Sequence, residues 1–284
     1  TGLVGRTVRS VHSGDGSVYE MLRDCLRRDE PVALATVVAT THVTGLGAKL
    51  LVRRGAGPVG TLGDAGLDST AGSDCLGALA SGQSSLRHYG PHGEVNQDTT
   101  TVFVEAFSPP PSMIILGAVD FSAALASVAK VLGYRVVVCD ARAVFATEVR
   151  FPGVDEVVVD WPDRYLDRVA AELGQRDAVC VLTHDTKFDV PAIVAALATD
   201  VGYIGAMGSR RTTEQRDARL REVGVSENDL ARVRAPIGLD LGARTPQETA
   251  VSICAEIIAR QTGTDSVVSL SQGSGTIHRR AAAS

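Results

Sequence analysis

The chain has 284 residues, with 28 Lys plus Arg against 33 Asp plus Glu, for a formal net charge of -5. Hydrophobic residues at 44% and charged residues at 21% are ordinary globular usage, which excludes a wholly disordered chain. The mildly acidic balance lacks the electrostatic footprint of a nucleic-acid binder, and no uncharged apolar run reaches the roughly 18 residues needed to span a bilayer.

At about 150 residues per domain, the length suggests two domains. Aromatics are scarce, so the core must be built mostly from Val, Ala, Leu and Ile, a mix that suits strands buried under helices. Five cysteines are present, an odd number with no C-x-x-C pair. Cys139 and Cys180 sit inside apolar runs and read as small hydrophobes. No stretch near Thr1 resembles a signal peptide, so a cytoplasmic protein with reduced thiols is expected.

Residues 1–17, rich in Gly, Ser and Thr, read as a flexible segment. Residues 18–108 read as a small α+β domain. Its first helix, around YEMLRDCLRRDE, spaces Met21, Leu22, Cys25 and Leu26 helically and is expected to end at Pro31. Strands follow at Ala33–Thr40, Lys49–Arg53 and Thr101–Phe107, separated by Gly-rich turns, with a short helix at Ser73–Ser81. Pro109, Pro110 and Pro111 form a stiff connector and mark the domain seam.

Residues 112–262 alternate strand and helix. Strands are predicted at Met113–Leu116, Arg135–Cys139, Glu156–Val159, Ala178–Thr183 and Val201–Ile204. Helices are predicted at Ser122–Leu132, Asp163–Leu173, Val190–Ala198, Thr213–Val223 and Pro246–Arg260. That alternation implies right-handed βαβ units and a Rossmann-like, doubly wound parallel sheet. Residues 263–284 read as a second flexible tail.

Ligands of such sheets bind outside the carboxyl ends of the strands. The first strand there leads into LGAVDFSAALA. Of the three glycine positions of a G-x-G-x-x-G dinucleotide turn, only Gly117 is glycine; Val119 and Ser122 hold the others. Val119 blocks close backbone approach to a pyrophosphate, and Asp120 puts negative charge where one would lie. Asp120 is expected as the helix N-cap instead. Asp140, about 20 residues on, stands where an acid would hold a ribose, but Asp after a strand is also a common turn residue.

Other loops carry polar groups at the same edge. VLTHDTKFD places His184 and Asp185 after the fourth strand, a pair that could do acid–base work or serve the turn. YIGAMGSRRTTEQR offers Gly205 and Gly208 for backbone freedom, then Ser209, Arg210 and Arg211 at a helix start. Such a loop suits an anion, or simply a capped helix with solvated arginines. PIGLDLGARTPQETA holds Asp240 and Arg244 before a capping box made by Thr245 and Glu248 with Pro246 first in the helix. No second His or Cys stands at metal-ligand spacing from His184, so no zinc site is expected.

Taken together, YIGAMGSRR, PIGLDLGARTPQETAVSICAEI, VLTHDTKFD, CDARAVFATEVRFP and, earlier, ALATVVATT with GAKLLV resemble the XdhC/CoxI family, over most of residues 20–261. The family consists of accessory proteins for molybdenum hydroxylases such as xanthine dehydrogenase. The resemblance implies a Rossmann-like domain, a separate N-terminal domain and homodimers. It also implies a non-enzymatic chaperone role: binding the molybdenum cofactor (molybdopterin), aiding its sulfuration, with a cysteine desulfurase as a candidate partner, and inserting it into a hydroxylase. The cofactor-binding residues expected on this reading are Gly117, Asp140, His184, Asp185, Gly205, Gly208, Ser209, Arg210, Arg211, Asp240 and Arg244. Two departures stand out. The family's turn resembles G-A-G-H-x-G where this chain has Gly117-Ala118-Val119-Asp120-Phe121-Ser122, and its N-terminal Ser-Gly-Gly-Cys stretch corresponds here to GTLGDAGLD, without cysteine. Alternatives are an NAD(P)-linked oxidoreductase, which the altered turn disfavours, and a degenerate scaffold that only binds a partner protein. The chain is too short for the iron–sulfur, flavin and molybdenum domains of a xanthine dehydrogenase and lacks the cysteine spacing of an iron–sulfur cluster, so no such activity of its own is expected.

Overall fold

The computed structural model describes residues 15–41, 45–95, 97–183, 185–264 and 267–272. The chain divides into two compact units between Pro109 and Pro110.

The first unit is an antiparallel sheet covered on both faces. It comprises helix α1 (Asp15–Arg27), strands β1 (Val32–Thr40), β2 (Lys49–Val52) and β3 (Val59–Thr61), helix α2 (Ala65–Ser81), and strands β4 (Ser85–Tyr89) and β5 (Thr100–Phe107). The strand order is β3-β2-β1-β5-β4. Side chains alternate along β1: Val32 and Leu34 pack with Val18 and Cys25 of α1, whereas Ala33, Ala35 and Val37 pack with Leu67, Ala71 and Cys75 of α2. This two-period alternation between two helices leaves β1 almost wholly apolar.

Strands β3 and β4 are not legible in the sequence. Gly60 lies inside β3, where a Cβ would come within 2.4 Å of the Lys49 carbonyl oxygen of β2. Helix α2 begins at Ala65, ahead of the expected Ser73, because Asp64 caps it, accepting from the Gly66 and Leu67 N–H groups at 2.9 and 3.1 Å. His92 adds a 2.9 Å contact to the same carboxylate, which raises the imidazole pKa and lowers that of Asp64.

The second unit contains β6 (Ser112–Leu116), α3 (Asp120–Val131), β7 (Arg135–Cys139), β8 (Glu156–Val158), α4 (Pro162–Val169), β9 (Ala178–Val181), α5 (Thr186–Leu197), β10 (Tyr203–Ala206), α6 (Arg210–Glu222), α7 (Glu227–Leu230), β11 (Val233–Arg234) and α8 (Pro246–Gln261). All pairings are parallel, in the order β11-β10-β9-β6-β7-β8. Counted from β6, that is the 3-2-1-4-5-6 order of a doubly wound dinucleotide-binding sheet, read from its far edge. Helices α3 and α8 cover one face through Leu125, Ala250 and Ile253; α4, α5 and α6 cover the other through Leu166, Ile193 and Leu220.

The short α7 and β11 have no counterpart among the predicted elements. Strand β10 runs on to Ala206 rather than stopping at Ile204. Its ladder with β9 runs on through Gly205 opposite Cys180 and Ala206 opposite Val181, and Gly205 leaves room for Ile237, whose Cδ1 would lie 2.5 Å from a Cβ there. Asp120 is not the cap of α3. It is the first helical residue, Val119 occupies the cap position, and the buried Ser122 hydroxyl turns back to the Gly117 carbonyl.

All five cysteines are buried and unpaired. Burial pushes the thiols of Cys75 and Cys139 up to about 12 and that of Cys254 to about 11. Among the described residues no helix is long and apolar enough to cross a membrane.

The Ile237 contact makes Gly205 a packing residue first. Gly205→Val should overpack this site and cost about 1–3 kcal/mol in urea unfolding. A variant as stable as the parent would show that the loop carrying Ile237 simply lifts away.

Candidate functional site

The order of this sheet reverses between β6 and β9, which pair side by side. Ligand crevices of doubly wound sheets open at this place, beyond the carboxyl ends of the strands. Three loops meet there.

The first follows β6. Gly117 has φ +108, and a Cβ would lie 2.9 Å from Cγ2 of Thr183 on the loop after β9. Only glycine lets the two loops touch in this way. The turn's N–H groups are all spent inside the protein. Gly117 donates to the Cys139 carbonyl at 2.8 Å, Ala118 to the Asp140 carboxylate at 2.8 Å, and Val119 approaches the Ser122 hydroxyl at 3.4 Å. Arg150 closes the turn from outside, donating to the Ala118 carbonyl at 3.2 Å and reaching Asp120 at 3.5 Å.

Asp140 therefore serves the turn. It is 4% exposed and is gripped by Arg142 through Nε at 2.9 Å, Nη2 at 2.8 Å and the backbone N–H at 2.9 Å. Burial opposes the carboxylate charge, but the Arg142 and Ala118 hydrogen bonds outweigh it and hold the pKa below its ordinary value. Arg142 also stacks over the Phe145 ring at 4.5 Å.

The second loop follows β9. Asp185 caps α5, accepting from the Lys187 N–H at 3.0 Å. His184 lies outside the described residues. On α5, Lys187 sits 4.9 Å from the Trp161 ring, and Trp161 packs against Phe188 at 5.1 Å.

The third loop follows β10 and opens α6. Ser209 caps this helix, accepting from the Thr212 N–H at 3.1 Å. Arg210 and Arg211 are exposed at its first positions, and neither makes an ion pair among the described residues. The capping box of α8 is present: Thr245 accepts from the Glu248 N–H, and Glu248 accepts from the N–H groups of Arg244 and Thr245 at 2.7 and 3.0 Å. These bonds lower the Glu248 pKa. Asp240 and Arg244 lie exposed on the loop leaving β11, and their side chains are not brought into contact with the other candidates.

The strongest feature of the site is not among the residues expected from sequence. Arg216 of α6 is 1% exposed. Its Nη1 donates to the Met207 carbonyl at 2.9 Å and lies 3.6 Å from the Asp189 carboxylate of α5. Asp189, equally buried, accepts from the Thr183 hydroxyl. The buried Gly117, Thr183, Asp189 and Arg216, with the half-buried Met207, thus form one chain linking all three loops. Nε and Nη2 of Arg216, and the Thr213 hydroxyl, have no hydrogen-bond partner among the described residues. A signal exists in the sequence. The buried positions of α6 are Arg216 and Leu220, so the core-facing stripe of that helix contains a charge where a hydrophobe is usual.

Among the described residues no group of three or more His, Cys, Asp or Glu could hold a metal ion. The arrangement instead offers cations at a helix N-terminus, above a fixed network of buried polar groups, which suits an anionic ligand.

An antiparallel α/β domain joined to a doubly wound Rossmann domain with an internally closed first turn defines the class. The family model for the XdhC Rossmann domain matches residues 113–257, and that for the XdhC and CoxI family matches residues 25–90. The chain belongs to the XdhC/CoxI family. It is 29% identical over 240 residues to a probable xanthine dehydrogenase subunit of Bacillus subtilis, covering 84% of this chain and 64% of that protein. It is 34% identical over 95 residues to the molybdenum cofactor insertion chaperone PaoD of Escherichia coli, covering 34% of this chain and 30% of that protein. The chain thus spans less than two thirds of the length of these relatives. A crystal structure described as a xanthine dehydrogenase from Bacillus halodurans shares the fold, with TM-score 0.51 and 20% identity over 88% of this chain and 97% of that one.

Two outcomes follow for the buried groups. Asp189→Ala strands the Arg216 charge and should cost about 3–5 kcal/mol in urea unfolding, whereas Asp189→Leu combined with Arg216→Met should recover much of that loss. Losses that merely add would show the two side chains to be uncoupled. For Asp140, the depressed native pKa means its contribution is full above the unfolded value of about 3.9 and fades as acid carries pH down through the native value. The stability gap between the parent and Asp140→Asn should be wide at neutral pH and narrow below about pH 3.9. A gap that does not change with pH would remove the ionised carboxylate as its cause.

Proposed function

We propose that this chain is a maturation factor for a molybdenum hydroxylase of the xanthine dehydrogenase kind. It binds the molybdenum cofactor as cargo and aids its sulfuration and insertion. Family membership and the named role of PaoD support the reading. The structural observation that carries it is the pairing of a closed dinucleotide turn with the exposed guanidiniums of Arg210 and Arg211 at the start of α6. The Gly117–Val119 amides are occupied by protein acceptors, so a pyrophosphate gains little from them. The α6 rim still offers positive charge to the phosphate of a pterin cofactor.

On this reading Gly117, Asp140, Gly205 and Gly208 shape the edge. Ser209, Arg210 and Arg211 face the anion, and Asp185 lies at the neighbouring start of α5. The five buried, protonated thiols do not suit a sulfur-carrying role. The sulfur therefore comes from elsewhere, such as a cysteine desulfurase. The chain works in the cytoplasm as a homodimer, delivers cofactor rather than turning over xanthine, and does not use NAD(P).

Calorimetry with purified chain and isolated molybdenum cofactor tests the site. Each charge-assisted hydrogen bond is worth about 1.5–3 kcal/mol, so Arg210→Ala with Arg211→Ala should weaken binding by at least about tenfold. NAD and NADP should bind no more tightly than about 1 mM. Unchanged cofactor binding in a folded double variant would return both arginines to the solvent surface, and micromolar dinucleotide binding would revive the oxidoreductase alternative. In the host, deleting the gene should leave hydroxylase protein present but poorly active.

A further inference from the structure

The parallel sheet has a polar cavity at the end opposite the α6 loop. It encloses about 260 Å³ and is lined by Gln175, Gly202, Asn228, Arg232, Arg234 and Arg260, among others. Gln175 precedes β9 and Gly202 precedes β10, so the cavity sits at the amino-terminal ends of these strands, away from the α6 loop. The Gly202 and Gln175 backbones approach closely along its wall. A Cβ on Gly202 would lie 2.0 Å from the Gln175 carbonyl oxygen, and the Gly202 N–H donates to the Gly174 carbonyl at 3.2 Å.

The charge in this cavity is unbalanced. Arg232 has a structural task at the end of α5, donating to the Leu197 and Thr199 carbonyls at 2.9 and 3.1 Å. Its nearest carboxylate, Asp229, stands 3.8 Å away and already accepts from Ser226 at 2.7 Å. Arg234 projects from the same face of the sheet as Gly205, its register partner on β10. Arg260 lies in the last turn of α8. Neither makes an ion pair or hydrogen bond through its side chain among the described residues. The nearby Glu256 carboxylate is engaged by the Tyr203 hydroxyl at 2.5 Å and the Gly238 N–H at 2.8 Å. Arg232 is thus paired with Asp229, while the Arg234 and Arg260 guanidiniums lining the same cavity have no carboxylate partner among the described residues, a positive charge that an anion in the cavity would neutralise.

We infer that this cavity is a binding site for a small phosphate-type dianion. Planar guanidiniums present paired N–H donors that match phosphate oxygens. The volume falls below the roughly 300–1,000 Å³ of pockets that enclose whole cofactors. Inorganic phosphate or the phosphate of a small monoester fits; a dinucleotide does not. The site is separate from the α6 rim and does not depend on whether that rim holds a pterin.

The test uses the full chain and calorimetry with inorganic phosphate, at an ionic strength held constant with chloride. The Arg210→Ala, Arg211→Ala background removes heat from the other edge. Saturable binding tighter than about 1 mM is expected there. Arg234→Gln and Arg260→Gln should each weaken it by at least about tenfold, with urea midpoints near the parent's. Arg234→Lys keeps the charge but not the fork and should bind with intermediate strength. Glycerol phosphate in a parallel titration distinguishes the sources, since tighter binding of either ligand supports the site and names its class. No saturable heat in this background, or binding unchanged by both Gln variants, would overturn the assignment.

Discussion

A buried guanidinium organises the carboxyl edge of the Rossmann sheet. Removing the Arg216 charge from water is expensive, and the structure offsets that cost with one carboxylate and one carbonyl. One partner lies on α5 and the other on the loop after β10, so satisfying one charge ties the two together. Asp189 passes the constraint on to Thr183, and Thr183 abuts Gly117 across the point where the strand order reverses. A hydrophobic residue at position 216 would fill the same space without specifying where Met207 or Asp189 must lie. The charge's partners tie α5 and the Met207 segment to α6 close to where that helix starts.

The first turn shows how a scaffold can keep a fold while giving up its usual ligand. Strand order, helix placement and the glycine after β6 are those of a dinucleotide-binding domain. Yet Asp140, placed where a ribose would be held, is turned inward to Ala118 and Arg142. Arg150 and Ser122 complete the closure. Sequence and geometry agree here for different reasons. Val119 suggests a steric obstacle, whereas the structure shows that the hydrogen-bonding capacity is already used.

Much of the fold is legible because its signals are local. Apolar runs such as RVVVC and AVCV are buried on both faces, so they stand out as strands. The Thr245-Pro246-Gln247-Glu248 box announces its helix through side chains only three residues apart. The elements that escape lack such signals. Strand β3 contains a glycine demanded by its neighbour, β4 exposes alternate residues such as Leu86 and His88, and β11 is two residues long. The early start of α2 is hidden because Asp64 stands among glycines, where a cap looks like one more turn residue. Within the site, Ser209 and Asp185 are legible as polar loop residues, but their engagement as caps depends on backbone geometry. Arg216 leaves only the trace of a charge in the core-facing stripe of α6; its pairing with Asp189 is hidden because charged residues usually belong to the surface, and tertiary packing is needed to show the partner.

The burial of every cysteine has a consequence for how the molecule can be watched. A thiol held in its protonated form within a close-packed layer reacts with a labelling reagent only when that layer opens. Cys25 lies on the inner face of α1, Cys75 on α2, Cys139 and Cys180 on opposite faces of the parallel sheet, and Cys254 on α8. The chain therefore carries its own set of reporters, one or more for each layer of each domain. The order in which they become modified would trace which layer loosens first, without introducing any probe that perturbs the packing.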